Sequence, residues 1–302
     1  MPVSVCRLCP RACGADRPSS RAEGGRYGVC GEARLPVVAR AAVHRYEEPC
    51  ISGTRGSGTV FFSGCPLRCV YCQNRPISFG HAGRELTVPQ LRRVMERLAA
   101  QGVHNLNLVT PTHFVPAIAE ALAAPLPVPV VYNTGGYDTP ETLRLLEGKV
   151  QVYLPDLKYA LPEPAARYSA APDYPQAAQA ALLEMYRQTG PYRLDGEGMM
   201  VSGVLIRHLI LPGGLENTRR VIDFVADAFP RGAVRFSLMS QYTPVDVPDG
   251  YPELRRRITR REYTRAVEYM LSRGIEDGYV QERSSAASEY IPAFDLTGVE
   301  DI

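Results

Sequence analysis

From Thr59 onward, short apolar runs alternate with longer segments whose apolar residues recur every three or four positions. That is the rhythm of parallel strands joined by amphipathic helices through right-handed crossovers. The runs "TVFFS" (59–63), "NLNLVT" (105–110), "PVVYNT" (129–134), "VQVYLPDLK" (150–158), "VLIRHLILP" (204–212) and "VRFSLMSQY" (234–242) predict six strands. Helical periodicity falls in "VPQLRRVMERLAAQG", "FVPAIAEALAA", "TPETLRLLEG", "PQAAQAALLEMYRQTG", "ENTRRVIDFVADAF" and "TRREYTRAVEYMLSRG", several of them ended by glycine. The rhythm breaks between Tyr159 and Gly203, which predicts a longer excursion at the mouth of the barrel. A last short strand is expected at "GYVQE", followed by an extended tail carrying "SEYIPAFD". The first 58 residues are rich in Cys, Gly, Arg and Pro and show little periodicity. The expectation is an α/β protein: a partial (β/α)6 barrel over 59–302 behind a Cys-rich, metal-binding segment over 1–58. By analogy with the closed eight-unit barrel, functional groups belong at the C-terminal ends of the strands.

Composition narrows the function classes. At 302 residues, with 45% hydrophobic and 22% charged residues, the chain can bury one substantial core. A formal charge of +2 is too small for a general nucleic-acid or anionic-membrane surface, so neither partner is expected. No apolar run approaches the roughly 18 residues of a membrane span, and "MPVSVCRLCPRACG" lacks the apolar stretch of a secretory signal. A cytoplasmic location is therefore expected, where eight cysteines read as metal ligands or redox groups rather than disulfides. Of the 34 basic side chains only Lys149 and Lys158 are lysines.

The stretch "FFSGCPLRCVYCQN" places Cys65, Cys69 and Cys72 directly behind the first predicted barrel strand, in CxxxCxxC spacing. A structural zinc site wants four closed ligands, whereas three leave one metal position open. Thiolate-only ligation favours zinc or an iron–sulfur cluster. A four-iron four-sulfur cubane held by three thiolates would leave one iron free to bind a substrate or cofactor. The competing reading, a zinc knuckle completed by His81 or Cys50, fits less well, because zinc sites more often use C-x2-C or C-x4-C pairs.

Cys6, Cys9, Cys13 and Cys30 follow C-x2-C-x3-C-x16-C, four ligands in a loop-rich segment that suggest a closed site for zinc or a second iron–sulfur cluster. Cys50 reads as a packing cysteine. His208, inside a strand pattern, reads as a core histidine, while His113 follows a strand end where function is as plausible as packing. The glycine-rich "GTRGSGT" (53–59) precedes a strand and opens no helix, so it is read as a tight turn.

The triplet, with Tyr71 just before its last cysteine, resembles the radical S-adenosylmethionine (SAM) superfamily. The resemblance implies that the open iron chelates the amino and carboxylate groups of SAM. One-electron reduction then yields methionine and a 5'-deoxyadenosyl radical that takes hydrogen from a substrate. "PDLKY" resembles the Asp-Leu-Lys element of glycyl-radical-enzyme activases, which implies that Asp156 and Lys158 face SAM. "RHLILPGG" resembles their Arg-to-Pro-Gly segment and makes Arg207 a SAM or substrate contact, while "VYNTGGY" offers Asn133 and Thr134. The patterns "ISGxxGSGTxFFSGC", "VTPTHFVP" and "SLMSQYTP" resemble an uncharacterised pyruvate-formate-lyase-activating-enzyme-like branch, and Gln241 joins Arg207 at the mouth. Where the superfamily carries a Gly-Gly-Glu-like motif, this chain reads "VTPTHFVP", so Thr110, Thr112 and His113 would replace it. The implied partners are reduced flavodoxin or ferredoxin as electron donor and a glycyl-radical enzyme as protein substrate. Two alternatives stand beside this: abstraction from a small molecule or another peptide, and a noncatalytic metal-binding or electron-carrier protein.

Overall fold

The structure is a computed structural model that describes residues 5–25, 27–281 and 292–302. Its strands are β1 (Val37–His44), β2 (Ser57–Phe62), β3 (Arg84–Glu85), β4 (Leu106–Val109), β5 (Val130–Thr134), β6 (Val152–Pro155), β7 (Arg193–Leu194), β8 (Met200–Leu209), β9 (Arg235–Met239) and β10 (Gly278–Val280). Its helices are α1 (Pro49–Ser52), α2 (Arg75–Ser78), α3 (Val88–Ala99), α4 (Val115–Ala121), α5 (Pro140–Arg144), α6 (Pro162–Ser169), α7 (Tyr174–Thr189), α8 (Leu215–Ala228) and α9 (Arg260–Ser272).

The sheet runs β10-β9-β8-β6-β5-β4-β2-β1-β3, with β7 beside β8. From β2 to β10 every neighbouring pair is parallel. β1 and β3 add to the β2 edge in antiparallel fashion. The sheet does not close on itself, so the fold is a partial barrel, and each of the six runs read from the sequence contributes a strand. The last short strand is present as β10, whereas the first half of "SEYIPAFD" lies outside the described residues.

Residues 37–44, read as part of a loop-rich segment, are instead a strand. Their run "VVARAAVH" mixes Arg40 with small alanines, which weakens the alternation, yet Val37, Val38 and Ala39 are fully buried. Pairing with β2 covers an edge that would otherwise expose unpaired backbone groups. The break between Tyr159 and Gly203 contains α6, the crossover helix α7 and the short β7.

Alternation with a period of two separates the faces of the sheet. One face, with Val60, Phe62, Leu106, Leu108, Val130, Tyr132, Tyr153, Val204, Ile206, Phe236 and Leu238, packs against α3 through Leu91, Val94, Met95 and Leu98 and against α8 through Val221, Ile222 and Val225. Full burial of one such large side chain contributes about 1.5–3 kcal/mol. The intervening positions Val131, Val152, Leu154 and Leu205 form a second, smaller cluster with Met200 and with Cys50 and Ile51 of α1. Further along the same face the residues turn polar: Asn107, Asn133, Asp156, Arg207 and Ser237. Capping boxes, Thr87 with Gln90 and Thr259 with Glu262, fix the starts of α3 and α9.

Candidate active site

The polar positions open into a cleft of about 270 Å³ whose lining includes Cys65, Cys69, Cys72, Asn133, Thr134, Asp156, Lys158, Arg207 and Gln241. The triplet loop leaves β2 through Gly64, whose φ of 77° favours glycine. A Cβ there would stand 2.4 Å from Glu32 Cγ and 2.6 Å from the Cys30 carbonyl oxygen. The loop therefore passes directly against the N-terminal segment. Cys69 is buried, while Cys65 and Cys72 are half-buried.

The surroundings of these sulfurs suit a thiolate-bound cluster. Backbone N–H groups of Arg68 and Leu67 point to the Cys65 sulfur, and that of Asn74 to Cys72. The buried Ser169 hydroxyl, at the end of α6, donates to Cys69 Sγ at 3.1 Å. Tyr159 and Tyr71 extend that chain, with O···O separations of 2.8 Å from Ser169 to Tyr159 and from Tyr159 to Tyr71. Ser78 Oγ lies 3.5 Å from Cys72 Sγ. Burial, with the neighbouring Cys72 and Cys69, pushes the Cys65 thiol up to about 12. Without a metal the Cys65 and Cys72 thiols hold their protons, and metal binding must displace them.

Across the cleft, one arginine organises four strands. Arg207 on β8 donates from Nε to Asp156 Oδ1 at 2.9 Å, from Nη1 to Glu47 Oε2 at 2.9 Å and from Nη2 to Asn133 Oδ1 at 2.6 Å. Asn107 on β4 and Asn133 on β5 each donate to Glu47 Oε1 at 3.1 Å. Lys158 Nζ donates to Asp156 Oδ2 at 2.6 Å. Burial alone would raise the Asp156 carboxyl, but Arg207 and Lys158 outweigh it and hold it below its ordinary value. Glu48 is pushed up to about 6 by burial, opposed by Arg207 at 3.9 Å, and its Oε2 has no hydrogen-bond partner. The Tyr174 hydroxyl ties the strand ends together, donating to the carbonyls of Gly135 and Asp156 and accepting from the Lys158 amide.

Three of the expected substitutes for the missing Gly-Gly-Glu element fare differently. Thr110 reaches the cleft, with a left-handed φ of 60° that is strained for a β-branched residue. Thr112 and His113 do not line the cleft, because the chain turns into a short 3-10 segment there and buries both. Thr112 Oγ1 meets Thr134 Oγ1 at 3.3 Å. His113 Nε2 contacts the Ser63 carbonyl at 2.7 Å, and burial with the nearby Arg17 lowers it to about 3, so it is a neutral prop beneath the triplet loop. His208 is a core histidine, held between the Leu157 carbonyl and Thr218 Oγ1. Cys50 is buried in the smaller cluster, away from the cleft lining.

Glu47, Glu48 and Ser169 were missed. The pair "EE" before "PC" was legible as two adjacent acids, but it lay in a segment with no predicted element. Nothing in the sequence marks Ser169.

The N-terminal quartet folds around a tight knuckle in which Cys6 N donates to Ala15 O and Gly14 N to Cys6 O. Backbone N–H groups of Arg11 and Glu32 point to the sulfurs of Cys9 and Cys30. Among the described residues no three His, Cys, Asp or Glu side chains are arranged to hold a metal ion as they stand. Arg11, between Cys9 and Cys13, donates to the carbonyls of Pro66 at 2.9 Å, Leu67 at 3.2 Å and Ser169 at 2.6 Å, and to that of Ala170. Buried Arg17 bonds the carbonyls of Glu32, Ala33 and His113.

A parallel open barrel with three cysteines behind its first parallel strand, facing a half-buried Asp–Lys–Arg network, defines a class of cluster-dependent radical enzymes. The family model of the radical SAM superfamily matches residues 59–281, and the chain belongs to that superfamily. Membership implies an enzyme that uses radical chemistry, with a four-iron four-sulfur cluster and SAM. An uncharacterized protein of Methanocaldococcus jannaschii is 28% identical over 273 residues, covering 87% of this chain and 73% of that protein. Among solved structures, Streptococcus suis SuiB bound to the precursor peptide SuiA aligns with a TM-score of 0.44 and 13% identity, over 72% of this chain and 46% of that one. The chain thus spans less than half the length of SuiB. No helix among the described residues is long and apolar enough to cross a membrane.

Proposed function

We propose that Cys65, Cys69 and Cys72 hold the cluster, that the Asp156–Lys158–Arg207 network orients SAM beside it, and that the substrate is a glycine in a partner polypeptide. The cluster, when bound, supplies the electron that splits SAM into methionine and a 5'-deoxyadenosyl radical. The observation that carries this reading is that the triplet and the network line the same cleft. The backbone and hydroxyl donors around the sulfurs stabilise thiolates over thiols. Lys158 and Arg207, both carried above their ordinary values by Asp156, remain cationic at any working pH and present positive charge to a carboxylate. Asn133 and Thr134 offer polar groups at the end of β5, and the strained backbone at Thr110 turns β4 away at the rim. Buried walls keep water, an alternative hydrogen donor, from the radical.

A backbone substrate agrees with how these charges are spent. Glu47 and Asp156 are already paired with Arg207, Lys158, Asn107 or Asn133, which leaves few free acids to grip a cationic small molecule. Gln241 Oε1 is buried without a hydrogen-bond partner and is suited to a peptide N–H. A flavodoxin or ferredoxin would serve as the reductant.

The test is anaerobic reconstitution with iron and sulfide, followed by dithionite and SAM. 5'-Deoxyadenosine is expected from the wild type and not from Cys65→Ala/Cys69→Ala/Cys72→Ala. With a glycyl-radical enzyme carrying α-deuterated glycine, the label should appear in 5'-deoxyadenosine. SAM cleavage without deuterium transfer would reject the glycine substrate, and intact SAM would reject the whole reading.

A further inference from the structure

The N-terminal quartet is not used by the chemistry above, yet its segment is clamped onto the triplet loop through Arg11 and the Cys30 carbonyl. We propose that Cys6, Cys9, Cys13 and Cys30 bind a second four-iron four-sulfur cluster, through which electrons enter the enzyme.

The first argument is spacing. Zinc sites of this type draw their ligands as two separated pairs, whereas iron–sulfur sites commonly take three cysteines from one short run and a fourth from afar. Here CxxCxxxC (6–13) is followed by the distant Cys30. The run spans the same length as CxxxCxxC (65–72), with its two intervals exchanged.

The second argument is geometry. An added Cβ on Gly28 would lie 2.6 Å from Cys13 Sγ, so the third cysteine of the run touches the loop that delivers Cys30. N–H groups aimed at the Cys9 and Cys30 sulfurs are the donors that stabilise cluster thiolates. Buried Arg17, close to Cys30, supplies a cation against the negative charge of a tetrathiolate centre.

The third argument is placement. The Cys30 carbonyl packs against Gly64, the residue before Cys65, and Arg11 clamps the carbonyls of Pro66 and Leu67, between Cys65 and Cys69. A centre held by the quartet is thus a direct neighbour of the catalytic one. Cys9 and Cys30 are buried, while Cys13 is exposed, which leaves one side of the quartet accessible to a donor protein. In the electron step a low-potential carrier of the flavodoxin or ferredoxin class loses one electron. A cluster held by the quartet would take up that electron and supply it to a cluster held by the triplet, with no atom or proton transferred. This last role rests on the proposed function; the metal assignment does not.

The experiment is anaerobic reconstitution of Cys65→Ala/Cys69→Ala/Cys72→Ala with iron, sulfide and an equal concentration of zinc, followed by elemental and labile-sulfide analysis and electron paramagnetic resonance after dithionite. About four iron and four sulfide per chain, with a signal from the reduced cluster, are expected. Zinc without sulfide, or no metal, overturns the proposal. Should the triple variant not fold, Cys9→Ser/Cys30→Ser is measured against wild type: loss of about half the iron is expected, and unchanged iron overturns it. Because the readout is metal content, it is independent of whether the wild type cleaves SAM.

Discussion

Arg207 shows what a single largely enclosed cation does in this molecule. It compensates Asp156 and Glu47 directly and Glu48 at longer range, so its removal strands buried carboxylates. Arg207→Met is expected to cost about 3–5 kcal/mol in denaturant-induced unfolding. Arg207→Lys should recover only part of this, because a point charge cannot serve three partners from one plane. Glu48 gives a pH signature. Its folded value, about 6, lies above its ordinary 4.5, so its contribution to stability is complete below pH 4.5 and lost as pH rises through 6. Glu48→Gln should therefore gain on wild type by up to about 2 kcal/mol between pH 4.5 and pH 7, measured as unfolding free energy across that range. At the sulfurs, Ser169→Ala deletes the hydroxyl donor to Cys69 and leaves more electron density on the thiolate. One hydrogen bond of about 1 kcal/mol corresponds to roughly 40 mV for a single electron, so the reconstituted cluster should become harder to reduce by about that much in potentiometric titration.

At the scale of elements, the turn after β2 is the most constrained feature. Gly64→Ala meets Glu32 and the Cys30 carbonyl in a conformation that disfavours a side chain. A loss of about 1–3 kcal/mol and a reduced iron content on reconstitution are expected, read by unfolding and by elemental analysis. This loop was legible because its cysteines are chemically conspicuous and the strand before it ends in a β-branched and aromatic run. β1 was not: its burial comes from pairing with β2 and β3, a long-range fact that a run of Ala, Arg and Val does not announce. The helix α6 was hidden in the same way, since its run "PEPAARYS" buries only Ala165 and Ser169 and so carries no apolar period.

Across the whole molecule, the six parallel strands followed from periodicity, because strands buried beneath helices must be apolar on the helix-facing side. Asn133, Thr134, Asp156, Lys158, Arg207 and Gln241, singled out by the resemblance of their segments to those of the activases, all reach one cleft. His113 and Thr112 did not, because the chain bends into the core one turn after β4, and no local pattern records the direction of that bend. The acids Glu47 and Glu48 come from the segment between β1 and α1, whose position beside the strand ends is a property of the assembled sheet alone.

The scarcity of lysine gives the cleft a chemical address. An amine-selective reagent meets two side-chain targets, the half-buried Lys149 and Lys158, and the second is locked to Asp156 with its proton held tightly. Acylation followed by peptide mapping should therefore modify Lys149 first and Lys158 slowly. SAM should slow labelling at Lys158 further while leaving the Lys149 rate unchanged, and equal protection of both would deny that the cleft is where it binds. In an arginine-rich chain, one amine becomes an occupancy gauge that needs neither a reduced cluster nor a known substrate.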